Sequence, residues 1–141
     1  MVTVRQILDR KPEVYWVDPG TSVLEALNIM AEKNVGALVV LDHDQLVGIF
    51  SERDYARKVV LQGKSSRDTP VREIMSTQVV CVSPQRAAAE CMALMTEKRV
   101  RHLPVLDQGS VVGVVSIGDV VKAVLDEQRF QIEQLEGFIK G

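Results

Sequence analysis

The sequence predicts an α/β (α+β) fold made of two copies of one small βαββα unit, arranged as a pseudo-two-fold pair. Three observations lead there. Sliding the chain by 65 residues lays Val14–Val60 on Val79–Leu125 without a gap, with roughly a third of the positions identical. Within each copy, short β-branched runs alternate with apolar residues at helical spacing. The composition is 46% hydrophobic but only 4% aromatic, which describes a core of small aliphatic side chains. Two copies are too few for a solenoid, so each is expected to bury the other's apolar face.

The elements follow in order. Val14–Val17 reads as a short strand, ended by the turn residues Asp18, Pro19 and Gly20. Ser22 and Glu25 have capping-box spacing and start a helix. That helix presents Val23, Leu27, Met30 and Ala31 on one face, and Asn34 ends it. Leu38–Leu41 and Leu46–Phe50 form a hairpin around the polar turn Asp42–Gln45. Ser51–Asp54 opens a second helix carrying Tyr55, Val59 and Val60. The second copy repeats the order, with Ala87 in place of Ser22 at the cap. An upstream echo, Val4–Leu8 against Val71–Met75, runs at a 67-residue offset.

Polar Gln62–Thr69 is the expected linker. The division is residues 1–66 for the first copy, 67–125 for the second and 126–141 for a C-terminal helix. Phe130, Ile132, Leu135, Phe138 and Ile139 give that helix an imperfect apolar stripe, suited either to its own domain or to a dimer contact. Gly137 weakens its end.

Composition narrows the function. Net charge is −2 and the pI near 5.7, without the basic excess of a nucleic-acid binder. No apolar run reaches the ~20 residues of a membrane span, and Met1–Leu8 lacks a signal-peptide core. A cytoplasmic chain is expected. Cys81 and Cys91 lack metal-ligand spacing and read as small buried hydrophobes. There is no His-Glu metal motif, Walker loop or triad, which argues against an enzyme. The basic run from Arg53 to Arg72 reads as a solvated face, with nucleic-acid binding as its alternative.

One constellation occurs twice: Gly48-Ile49-Phe50-Ser51-Glu52-Arg53-Asp54 and Gly113-Val114-Val115-Ser116-Ile117-Gly118-Asp119. Each sits where a strand hands over to a helix, whose first N–H groups attract anions. Ser51 or Ser116 can donate to a phosphate or ribose oxygen, and Asp54 or Asp119 can accept from a ribose diol. Gly48 and Gly113 leave room for a flat base against the strand. The plainer alternative makes Asp54 and Asp119 helix N-caps, with Ser51 and Ser116 closing the turn.

These motifs, with Val100-Arg101-His102-Leu103-Pro104-Val105-Leu106-Asp107, make residues 4–125 resemble a cystathionine-β-synthase (CBS) domain pair, or Bateman module. The resemblance is to the stand-alone, non-catalytic kind. It implies two sheets packed face to face with a cleft on each side of the pseudo-two-fold axis. AMP, ADP or ATP are the first-choice ligands, with NAD or S-adenosylmethionine next, and no cofactor is required. It implies Ser51 and Asp54 in one cleft and Ser116 and Asp119 in the other. Val17, Asp18 and Thr21, or Val82, Ser83 and Arg86, would touch the base. Arg101 and His102 would reach the phosphate held with Asp54, and Arg53 the one held with Asp119, arginine offering a bidentate fork. Solvated Arg53 and non-ligating His102 are the alternatives. Gly36 and Ala37 replace Arg101 and His102 in the first copy, so the clefts differ in charge. A homodimer through the helices after each motif, and a regulated partner protein, complete the expectation; a structural module with empty clefts is its competitor.

Overall fold

The computed structural model describes residues 1–11 and 13–140, with side chains as far as Ile139. In chain order the elements are α1 (Val4–Leu8), β1 (Trp16–Val17), α2 (Val23–Lys33), β2 (Ala37–Asp42), β3 (Gln45–Ser51) and a short α3 (Glu52–Asp54). A π-helical segment (Tyr55–Val60) and a 3-10 turn (Val71–Glu73) come next. Then follow α4 (Ala88–Lys98), β4 (His102–Asp107), β5 (Ser110–Ser116) and α5 (Ile117–Lys140). The expected mixed α+β class is what the chain adopts.

The residues form two compact units that do not follow the order of the copies. One comprises Val14–Val79; the other joins Met1–Glu13 to Val80–Gly141. The cause is the segment preceding each copy. Val71 N–H donates to the Thr21 carbonyl and Arg72 N–H to that of Pro19, at 2.8 and 3.0 Å. Val4 and Arg5 make the corresponding bonds to the Arg86 and Pro84 carbonyls, both 2.9 Å. Thus Val71 and Ile74 complete the core of the first copy, with Val17, Val23, Leu38, Val40 and Phe50. Val4, Ile7 and Leu8 complete the core of the second, with Cys91, Leu103, Val105 and Val115. The repeat division at 66/67 describes sequence copies; apolar burial draws the units differently.

In the Val14–Val79 unit, β1 runs parallel to β2, with Val17 opposite Val40, and β2 is antiparallel to β3. The hairpin turn holds His43 at φ 49° and Asp44 at φ 65°, the doubly positive geometry of a type I′ turn. Gln108 and Gly109 repeat it between β4 and β5 at 51° and 82°. Ser22 caps α2 by accepting from the Glu25 N–H at 3.1 Å, and Asn34 ends the helix at φ 56°. The buried face of α2 is Val23, Ala26 and Met30, while Ala31 is exposed. In α4, Ala87 offers no side-chain acceptor at the cap, but its N–H donates to Glu90 at 3.1 Å.

Two expectations need correcting. The first strand of the second copy shrinks to a single parallel bridge, Val82 with Val105. Pro104 stands where the first copy has Val39, and proline has no N–H for a ladder. The helix after Ser51 turns π-helical at Tyr55, so Val59 is buried while Val60 faces outward. Within the expected linker, the Thr69 and Ser66 carbonyls accept from Val23 and Leu24 N–H, each at 2.9 Å. Of the two cysteines expected inside, Cys91 is buried and Cys81 only partly so, and burial pushes both thiols up.

A methyl on Gly48 would meet Met75 Sδ at 2.5 Å, and one on Gly113 would run into the Leu8 side chain. Gly113→Ala should therefore cost about 1–3 kcal/mol by overpacking. Its cost should shrink in a Leu8→Ala background, a coupling measurable by urea unfolding of the four proteins of the cycle. Strict additivity would contradict this packing.

Candidate functional site

Each strand-to-helix junction is built around one carboxylate. In the first copy Ser51, not Asp54, is the N-cap: Ser51 Oγ accepts from Asp54 N–H at 3.2 Å. Asp54 sits three residues on, and its Oδ2 accepts from Ser51 N–H and Oγ, each at 3.0 Å. This reciprocal arrangement is a capping box with aspartate as the reaching acid. The second copy repeats it. Asp119 N–H donates to Ser116 Oγ at 3.1 Å, and Asp119 Oδ2 accepts from Ser116 N–H at 2.8 Å. The N-cap alternative for the aspartates is thus corrected in position, although both do close the turn.

These bonds also change the anion argument. Glu52 N–H donates to the Gly36 carbonyl and Ile117 N–H to that of Arg101, at 3.1 and 2.9 Å. With Asp54 and Asp119 N–H held by serine, two of the first three donors at each helix start are occupied. The glycines likewise face internal side chains, Met75 over Gly48 and Leu8 over Gly113.

The two carboxylates then diverge. Asp54 is only 9% exposed. Its Oδ1 accepts from Ser76 Oγ and pairs with Lys58 Nζ, both at 3.3 Å. Lys58 also donates to the Ile74 carbonyl at 3.2 Å. Both oxygens of Asp54 therefore have protein partners. Asp119 is more open. Lys11 Nζ bonds its Oδ2 at 2.7 Å and the Val114 carbonyl at 3.3 Å, while among the described residues Oδ1 has no hydrogen-bond partner. Burial pulls the Asp119 carboxyl upward. Hydrogen bonds from Lys11 and Ser116, with the Lys11 charge, outweigh this and hold it below the ordinary value. Half-buried His102 pairs with Ser116 across the β4–β5 ladder. Burial pushes its pKa down, Lys11 and Arg101 assist, and Asp119 opposes, so the ring is neutral at pH 7.

The other expected residues scatter by role. Val17 and Val82 are buried in their cores. Asp18 and Ser83 are exposed turn residues whose carbonyls accept from Thr21 and Arg86 N–H, both at 3.1 Å. Arg86 pairs loosely with Glu90 at 4.0 Å, and Arg53 and Arg101 are exposed. Beside Asp119 opens a groove of about 620 Å³, lined among others by Arg10, Lys11, Lys122 and Phe130. Lys11, Lys58 and Ser76 were missed in the sequence. Lys58 was legible as the i,i+4 partner of Asp54.

The CBS domain family matches residues 3–61 and 71–126. The chain belongs to the CBS domain family. This CBS pair is 41% identical over 131 residues to the Arabidopsis thaliana CBS domain-containing protein CBSX3, mitochondrial. The match covers 89% of this chain but 64% of the plant protein, just under two thirds of its length. The structure of a protein with CBS domains from Burkholderia ambifaria MC40-6 superposes with a TM-score of 0.86 at 53% identity, covering 90% of this chain and 96% of that one. The CBS domain pair of protein MJ0100, solved with 5′-methylthioadenosine and S-adenosyl-L-methionine, gives 0.81 at 26% identity, covering 90% and 98%. No described helix is long and apolar enough to cross a membrane.

His102 and Asp119 both bind protons less readily in the fold than in the unfolded chain. Each therefore contributes stability that is present above its unfolded pKa and lost as pH falls. For His102 the loss should begin near pH 6.5, and for Asp119 near pH 3.9. Urea unfolding across pH should show wild type losing more stability than His102→Gln between about pH 7.5 and 5. Below about pH 4 it should lose more than Asp119→Asn. Parallel profiles would contradict these assignments.

Proposed function

We propose that this CBS pair is a non-catalytic regulatory module that binds an adenosine-containing ligand at the Ser116–Asp119 junction. The single observation carrying this reading is the contrast between the two aspartates. Asp119 keeps Oδ1 available to accept from a ribose hydroxyl, whereas Asp54 spends both oxygens on protein partners. Low proton affinity keeps Asp119 an acceptor at neutral pH. Neutral His102 leaves one ring nitrogen as acceptor and the other as donor. Lys11 and Arg10 beside the carboxylate favour a phosphate-bearing ligand, so AMP, ADP or ATP come first, then NAD or S-adenosylmethionine. The adenosine compounds bound by the CBS pair of MJ0100, at 26% identity, support that ligand class.

Signalling would follow by population shift, bounded by the ligand's differential affinity for two conformations. The response passes to a regulated protein in the cytoplasm or within a homodimer formed through the helices after each motif. A purely structural module is the second reading, favoured by the closed bond set of Asp54.

Thermal unfolding tests the proposal. A true ligand at ~100 times its dissociation constant adds about 2.7 kcal/mol, visible as a higher Tm. Asp119→Ala should abolish that rise. Asp54→Ala should lower the basal Tm, since it removes one half of a capping box, yet leave the rise intact. If AMP, ADP, ATP, NAD and S-adenosylmethionine all leave the wild-type Tm unchanged, the module is structural.

A further inference from the structure

We propose that Lys11 is a displaceable stand-in for the ligand, and that its displacement selects a phosphorylated adenosine compound over a neutral one. This deepens the reading of the Ser116–Asp119 junction as an adenosine site and rests on it. Lys11 Nζ donates to Asp119 Oδ2 at 2.7 Å and to the Val114 carbonyl, two residues before Ser116, at 3.3 Å. Asp119 Oδ2 also accepts from Ser116 N–H at 2.8 Å, so both of its lone pairs are taken. A ribose diol brings two adjacent hydroxyl donors, and a carboxylate holds both by using both of its oxygens. The first hydroxyl finds Oδ1. The second needs Oδ2, where Ser116 N–H belongs to the turn and only Lys11 can leave.

Lys11 is built to leave. Its N–H is held by the Leu8 carbonyl at 2.9 Å, so the backbone can stay fixed while the four-carbon stem swings. The first copy brings its lysine from within the helix, Lys58 pairing with Asp54. Ala123 stands at that position in the 65-residue alignment, so Asp119 draws its cation from outside its own helix. What the ammonium meets afterwards decides the selectivity. A neutral nucleoside leaves a partly buried charge without its carboxylate. A 5′-phosphate takes it over with bonds of the same charge-assisted kind. Arg10 and Lys122 line the same groove and draw an anion toward it. Of the other acids there, Glu127 is already bonded to Val2 N–H, which leaves Asp126 against three cations.

Isothermal titration calorimetry of the full chain with adenosine and with AMP tests this in wild type, Lys11→Met and Lys11→Arg. Wild type should bind AMP about tenfold or more tighter than adenosine, the scale of one charge-assisted hydrogen bond. Lys11→Met keeps an unbranched stem without the charge. It should bind adenosine more tightly than wild type does, and AMP less tightly. Lys11→Arg should keep the wild-type preference. Adenosine affinity that is unchanged or lower in Lys11→Met would overturn the competition for Asp119. A preference for AMP that survives undiminished in Lys11→Met would overturn the selection. If neither compound binds wild type or Lys11→Met, the adenosine reading of the junction itself is wrong, and the role of Lys11 falls with it.

Discussion

One oxygen of each junction aspartate is committed before any ligand arrives. Asp54 Oδ2 and Asp119 Oδ2 reach back to the N–H of the serine that ends the strand, while the serine oxygen accepts from the aspartate's own N–H. This reciprocal closure turns β3 into α3 and β5 into α5 within three residues. It fixes where the carboxylate points and leaves a single oxygen for other work. What that second oxygen meets decides the chemistry. Ser76 and Lys58 take it in the first copy; in the second, Lys11 joins the committed oxygen and Oδ1 stays open. The two copies share the turn and differ in the side chains that meet its second oxygen.

The neighbours come from the segment ahead of each copy. Lys11 follows α1, whose Val4, Ile7 and Leu8 fill the core of the second copy, and Ser76 follows the Val71–Met75 stretch that fills the first. The same packing that completes each core thus delivers one polar side chain to each aspartate. Gly48 and Gly113 belong to this arrangement, because their missing side chains admit Met75 and Leu8.

Much of this was legible in the residues. The 65-residue repeat, the two hairpins, the Ser22 cap and the Asn34 stop all follow local rules that a sequence carries openly. The leading segments did not declare their partners, because Val4–Leu8 and Val71–Met75 are interchangeable in pattern and only long-range burial assigns them. The shortened first strand of the second copy was legible in Pro104, whose missing N–H breaks the symmetry with Val39. The π-helical segment was not legible, since Tyr55–Val60 reads equally well at either helical period. At the site, the serine–aspartate pair stood out, but its bonding did not. Two aspartates at equivalent positions meet different partners: Lys58, at helical spacing, and Ser76 on Asp54, and Lys11, more than a hundred residues away, on Asp119.

Native mass spectrometry of gently purified protein incubated with adenine nucleotides counts ligands on each chain directly. The account predicts one adenosine-containing ligand per chain, absent when Asp119 is Ala and retained when Asp54 is Ala. A chain that never carries a ligand, or loses it only with Asp54, would contradict the division of labour between the two carboxylates.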